Sequence, residues 1–155
     1  MWVRRGRTLD VVGIAHRLDK EQGLTTIVWD GAVTAAEWRA HLEAIFDDPD
    51  WPPGPRNLTD LRSADVSGIS DEEEADILSM YGPHLDKVRG MKSAAIAGEN
   101  FDRSRDFETQ QEPAGLSLIV FNDLLNACTW LGVDKAVAQT TVTELRGRLR
   151  APAAG

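Results

Sequence analysis

The sequence predicts an α/β domain with a single five-stranded, mostly parallel sheet, an N-terminal antiparallel hairpin and flanking helices. Short apolar runs of strand length alternate along the chain with longer segments whose apolar residues recur every three or four positions. Two of these longer segments begin with a Ser or Thr followed three residues later by Glu, which is the spacing of a capping box. Alternation of this kind is typical of a parallel sheet with right-handed crossovers.

Each predicted strand is a short run of apolar residues between turn-forming residues. The strands are 10–18, 24–30, 57–61, 92–97 and 116–121. Glu21-Gln22-Gly23 indicates a tight hairpin turn between the first two. The strand at 92–97 consists of small and apolar residues, which suits burial on both faces of a sheet.

The predicted helices occupy the intervals between these strands and the end of the chain. They cover 34–48, 70–85, 101–111, 123–131 and a final segment with an apolar stripe at Val137, Thr141, Leu145 and Leu149. Thr34 and Ser70 are the expected N-caps of the first two. Gly82-Pro83 is expected to end or distort the second helix, and Gly132 suits the left-handed position after the fourth.

Composition indicates a soluble globular protein with one domain. The chain has 155 residues, 42% of them apolar and 27% charged. We expect a domain at 9–150 with flexible termini at 1–8 and 151–155.

The net charge of −8 argues against nucleic acid as a partner, because phosphate binding needs clustered positive charge. No apolar run is long enough for a membrane span and no signal-peptide core is present, so we expect a cytoplasmic protein.

The residue types that usually carry catalysis or bind metals form no recognisable set. His16, His41 and His84 stand far apart and in no metal-ligand spacing. Cys128, the single cysteine, lies among core positions of a predicted helix, where a small buried hydrophobe is expected. No glycine-rich phosphate loop is present. We therefore expect no cofactor, no metal ion and no enzymatic activity.

The segment after the third predicted strand is the main candidate for a functional surface. It places Asp60, Arg62, Asp65, Ser67 and Ser70 at the carboxyl end of a strand, where ligands and modifications usually act in α/β proteins. The acidic run that follows favours a basic or neutral partner over a phosphate. The structural alternative is that the loop side chains bond their own backbone and that Ser70 only caps the helix.

Trp51 is a second candidate, because Trp is enriched at binding hot spots. It is flanked by two prolines at 52 and 53. Trp51 is either an exposed interface anchor, a lid over a pocket, or a residue that pins the proline-rich loop onto the core.

The segment that follows the last predicted strand resembles a known family. Phe121, Asp123, Ala127 and Trp130-Leu131-Gly132 are similar to the closing segment of the SpoIIAA-like proteins, small bacterial domains related to STAS and SEC14-like folds. The initial hairpin, the segment 31–34 and the position of Asp60 also fit. The resemblance spans about residues 10–132 in element order, and it implies a five-stranded domain that binds or signals.

The resemblance also suggests a regulatory serine. In STAS anti-sigma-factor antagonists, a loop reading Asp-Ser-Ser/Thr-Gly at a helix start carries a phosphorylated serine. Asp65-Val-Ser-Gly68 is the nearest match here, with Val66 in place of one hydroxyl residue.

Two classes of function follow from these observations. The first is a non-catalytic regulatory or protein-interaction domain, with a protein partner or as a homodimer, that works through residues 60–74. The second is implied by the SEC14-like relationship. It is a carrier of a small apolar ligand or lipid, held in a pocket between sheet and helix.

Overall fold

The computed structural model describes residues 7–52, 54–100, 102, 105 and 117–151. Its strands form one sheet in the sequential order β1-β2-β3-β4-β5-β6. They are β1 (Arg7–Val11), β2 (Ile14–Asp19), β3 (Leu24–Ala32), β4 (Arg56–Asp65), β5 (Lys92–Ile96) and β6 (Ser117–Phe121). The strands from β3 to β6 run parallel, whereas β1, β2 and β3 form two antiparallel pairs. The predicted fold class is confirmed.

The N-terminal part of the sheet has one more strand than the sequence pattern indicates. A turn at Val12-Gly13 divides the predicted strand 10–18 into β1 and β2. Gly13 has a φ of 81°, a left-handed conformation that favours glycine. β1 begins at Arg7, within the segment 1–8 that is predicted to be flexible. The rest of that segment and residues 152–155 lie outside the described residues.

The helices begin close to the predicted positions, and the second one ends seven residues earlier than predicted. They are α1 (Ala35–Asp47), α2 (Asp71–Leu78), α3 (Leu85–Val88), α4 (Leu124–Leu131) and α5 (Lys135–Arg150), with 3-10 helices at Ser79–His84 and Gly98–Asn100. The distortion expected at Gly82-Pro83 is confirmed, since both lie in a 3-10 helix. Gly132 ends α4 with a φ of 72°. The predicted helix 101–111 lies outside the described residues, apart from Asp102 and Arg105.

Helices cover both faces of the sheet. On the first face, α1 and α2 pack against alternate residues of β2 and β3, among them Ile14, Ile27 and Trp29. On the second face, α4 packs against β4 and β5, and α5 packs against β2 and β3. Cys128 is buried in this second layer, as expected. No helix in the described ranges is long and apolar enough to cross a membrane.

The predicted apolar stripe of α5 is wrong by one position over its first two turns. Val137 is 50% exposed, and the buried residues of α5 are Ala138, Val142 and Leu145. A constant spacing of four drifts by about 40° per step around a helix of 3.6 residues per turn. The spacings of four and three between the buried residues keep them on one side.

Ion pairs fasten α5 to the N-terminal strands. The guanidinium of Arg150 donates to both carboxylate oxygens of Asp30 in β3, at 2.8 and 3.0 Å. Arg17 of β2 pairs with Glu144 at 2.6 Å. The second face is therefore held by charge as well as by apolar packing.

Replacing Ser70 with Ala should destabilise the protein by about 1 kcal/mol. Both halves of the capping box are present: Glu73 N–H donates to Ser70 Oγ at 3.1 Å, and Ser70 N–H donates to Glu73 Oε1 at 3.0 Å. Urea denaturation measures the loss. Ser67→Ala, an exposed serine outside the helix, is the control and should change stability by less than about 0.5 kcal/mol. Equal unfolding midpoints for the two variants would show that Ser70 is not a stabilising cap.

Candidate functional site

Asp60 is completely buried at the point where β4 leaves the core. Arg62 donates to it from Nε at 3.0 Å and from a terminal nitrogen at 2.8 Å. Arg146 of α5 donates to the same carboxylate at 2.8 Å, and also to Ser63 Oγ at 3.0 Å. Asp60 therefore joins β4 to α5. It is buried, although the sequence pattern assigns it to a functional surface.

The ion pairs decide the charge of Asp60. Burial alone would raise the pKa of this carboxyl, but the hydrogen bonds from Arg62 and Arg146 outweigh burial and hold the pKa below its usual value. The pairing also raises the pKa of Arg62, whose side chain is 35% exposed. Of these two predicted site residues, only Arg62 presents part of its side chain to solvent.

The remaining residues of the predicted surface are exposed, and they have local structural roles. Asp65 Oδ1 accepts from Ser67 N–H at 2.9 Å. Hydrogen bonds from the side chain and from the backbone of Ser67 lower the pKa of Asp65. Ser70 caps α2. The side-chain amide of Asn100 donates to the carbonyls of Leu61 and Ala64 at 2.9 and 3.0 Å, which secures the end of β4. The structural alternative considered for this loop fits these contacts.

Trp51 is buried, with 5% of its surface exposed. Its ring packs edge-on against Phe46 at the end of α1, with the ring centroids 5.7 Å apart. This burial does not fit an exposed interface anchor, and the contact with Phe46 fits a residue that pins the proline-rich loop onto the core. Trp51 also lines a cavity, which is compatible with the role of a lid over a pocket.

This cavity, of about 150 Å³, lies on the first face of the sheet. Its floor is formed by alternate residues of β3 to β6, such as Ile27, Ala95 and Val120, and its walls come from α1, α2 and the turn that follows α2. Most of the lining is apolar or aromatic. The described polar residues in the lining are His41, Asn57, Thr59, Glu74, Tyr81 and Ser93.

Two buried polar atoms of this lining have no hydrogen-bond partner among the described residues. They are the indole Nε1 of Trp51 and the side-chain Oδ1 of Asn57. The amide nitrogen of Asn57 donates to Met91 Sδ at 2.9 Å and to Ser93 Oγ at 3.3 Å. Buried polar groups are usually paired with protein atoms or with water, so these two atoms are available to pair with a bound molecule.

Two ionisable groups of the lining are held in their neutral forms. Burial, with a smaller effect from nearby His16, lowers the pKa of His41 to about 3. The two imidazole rings meet edge-on, with centroids 5.0 Å apart. Burial raises the pKa of Tyr81 to about 12. Neither group titrates near neutral pH.

Sequence reasoning missed Asn57 and His41 as candidates for the site. The available signal was a polar residue at a position that the apolar pattern assigns to the core. Asn57 opens the predicted strand 57–61, and His41 lies beside Leu42 on the buried side of α1. Within the ranges that the structure describes, no group of three or more His, Cys, Asp or Glu residues is arranged to hold a metal ion.

Replacing Asp60 with Asn should cost about 3 kcal/mol of stability, because it leaves two arginines around a neutral side chain. Guanidinium chloride denaturation at neutral pH measures this loss. Asp65→Asn is the matched control, since that side chain is exposed and an amide oxygen can still accept from Ser67. A loss of the same size in both variants would contradict a special role for the buried carboxylate.

Stability should fall as the pH drops from 6.5 towards 3, and His41→Phe should reduce that fall. The unfolded histidine, with a pKa near 6.5, binds a proton in this window, whereas the folded one does not until about pH 3. The effect is at most about 1.4 kcal/mol per pH unit. Thermal midpoints measured across this range test it, with His84→Phe as the control for loss of a histidine. Parallel profiles for wild type and His41→Phe would refute the assignment.

No protein-family model matches this sequence, and no curated protein matches it. The fold is similar to the crystal structure of an uncharacterized protein of the DUF3478 family, with a SpoIIAA-like fold, from Shewanella loihica PV-4. The TM-score is 0.53 at 18% sequence identity, over 81% of this chain and 99% of that one. At this identity the likeness concerns the fold alone. The chain therefore has a SpoIIAA-like fold, as the sequence predicts.

Proposed function

We propose that the protein binds a small apolar molecule in the cavity on the first face of the sheet, and that it acts by binding rather than by catalysis. The observation that carries this proposal is a mostly apolar cavity with an unpaired donor and an unpaired acceptor in its lining. Ligand sites in proteins are typically concave and apolar, with a few polar groups that orient the ligand.

Energetics support a use for this cavity. An unfilled apolar space loses packing, and a buried polar atom without a partner costs about 1–3 kcal/mol. A ligand that fills the space and pairs these atoms recovers both losses. The second face, on the opposite side of the sheet, shows that the same chain packs helices against strands with small and apolar residues such as Ala94, Ala127 and Cys128.

Two ionisable groups of the lining, His41 and Tyr81, favour binding over reaction. A general acid or base works best when its pKa lies near the operating pH. The pKa values of His41 and Tyr81 lie well away from neutrality on opposite sides. Neither group is suited to proton transfer at neutral pH.

The alternative is a regulatory, protein-binding domain that acts through the exposed part of the 60–74 segment. The exposure of Asp65, Ser67 and Ser70 favours it, and the SpoIIAA-like fold is compatible with it. The cavity is the better supported site, because local roles account for Asp65 and Ser70 and Asp60 is buried. No comparable structural role accounts for the unpaired atoms of the cavity.

Toluene should raise the thermal midpoint of the protein, and a variant with a filled cavity should lose this response. Ligand at ten times its dissociation constant adds about 1.4 kcal/mol to the stability of the folded state. Ala95→Leu introduces bulk into the floor of the cavity, while Ala136→Leu makes the same change on the exposed side of α5. The midpoint of Ala136→Leu should still rise with toluene concentration, measured by calorimetry.

Two results would count against this proposal. One is a wild-type midpoint that does not change with toluene. The other is an equal response in Ala95→Leu and wild type, which would place the bound toluene elsewhere.

A further inference from the structure

We propose that the ligand of this cavity is an uncharged molecule, about the size of one aromatic ring, that carries a hydroxyl group recognised by Trp51 and Asn57. This inference rests on the proposed function and adds the chemistry of the ligand. Three properties of the lining lead to it: its size, its charge and its two unpaired atoms.

The volume of the cavity limits the size of the ligand. The cavity measures about 150 Å³, and an apolar cavity of roughly this volume accommodates one benzene-sized molecule. The aromatic residues of the lining can offer edge-to-face contacts to such a ring. Phe46, for example, already meets Trp51 and Tyr81 in this way, with centroids 5.7 and 5.4 Å apart.

The charged residues of the lining limit the net charge of the ligand. The described lining contains no Lys or Arg, and its one acidic residue is the buried Glu74. The imidazole of His41 is uncharged at neutral pH because burial depresses its pKa. A carboxylate or phosphate in this cavity would be desolvated without a cation to balance it. The lining therefore favours a neutral molecule over a fatty acid or a phospholipid headgroup.

The unpaired atoms specify the polar group. Trp51 Nε1–H needs an acceptor, and Asn57 Oδ1 needs a donor. A hydroxyl is the smallest group that meets both requirements. Chain topology also places both residues towards the same end of the parallel strands. Asn57 is the second residue of β4, and Trp51 packs on Phe46 at the C-terminal end of α1, the helix that leads back to the start of β4. The hydroxyl is therefore expected at the amino-terminal end of the parallel strands.

The test compares phenol with toluene, which has nearly the same shape and a methyl group in place of the hydroxyl. A purely apolar cavity would bind toluene more tightly, because burial of an unpaired hydroxyl is unfavourable. Wild type should instead bind phenol at least tenfold more tightly than toluene in isothermal titration calorimetry. Benzoate, the anionic analogue, should bind at least tenfold more weakly than phenol.

Variants then assign the preference to named atoms. Asn57→Leu removes the acceptor with little change in volume, and Trp51→Phe removes the indole N–H. Each should lower the preference for phenol over toluene at least fivefold while toluene still binds. Trp130→Phe is the control, because Trp130 packs against Phe121 in the layer on the second face.

The outcomes separate this inference from the proposal on which it rests. Toluene binding as tight as phenol binding in wild type would overturn the hydroxyl assignment and leave the cavity as a ligand site. A phenol preference that survives in both Asn57→Leu and Trp51→Phe would also overturn it. If neither phenol nor toluene binds to wild type, the proposed function itself fails.

Discussion

The buried carboxylate of Asp60 is the interaction on which the arrangement of the domain depends. A charge at this depth is tolerated only when it is paired and hydrogen-bonded, and here Arg62 and Arg146 supply both kinds of contact. Since Arg146 comes from α5 and Arg62 from β4, their common partner fixes the helix against the carboxyl end of the central strands. At Asp60, the polar end of this strand therefore has a structural role inside the domain.

The two faces of the sheet are packed differently. The second face is packed with small and apolar residues and is closed at its edge by arginine–carboxylate pairs. The first face is more aromatic, and Trp29, Trp38 and Trp51 contribute to the lining of the cavity. The second layer supports the sheet on the side opposite to the cavity.

Local features of this fold could be predicted from the sequence, and features that join distant segments could not. Caps such as Ser70 and stops such as Gly132 depend on residues within one helical turn. The burial of Asp60 depends on Arg146, which is 86 residues away. The cavity was equally hidden, because a residue that lines a cavity and one that fills a core have the same apolar pattern. Asn57 was the exception, a polar residue at a position that the pattern assigns to the core.

The docking of α5 onto β2 and β3 has a consequence for how the protein is made. Arg17 and Glu144 are separated by 127 residues, and Asp30 and Arg150 by 120. Non-local contacts of this kind slow folding, because the loop between them must close first. At about 5–20 residues per second, a ribosome needs on the order of ten seconds to synthesise α5 after the hairpin has emerged. During that interval Ala15 and Val28 lack the helix that buries them, so the nascent hairpin exposes apolar surface until α5 has been made.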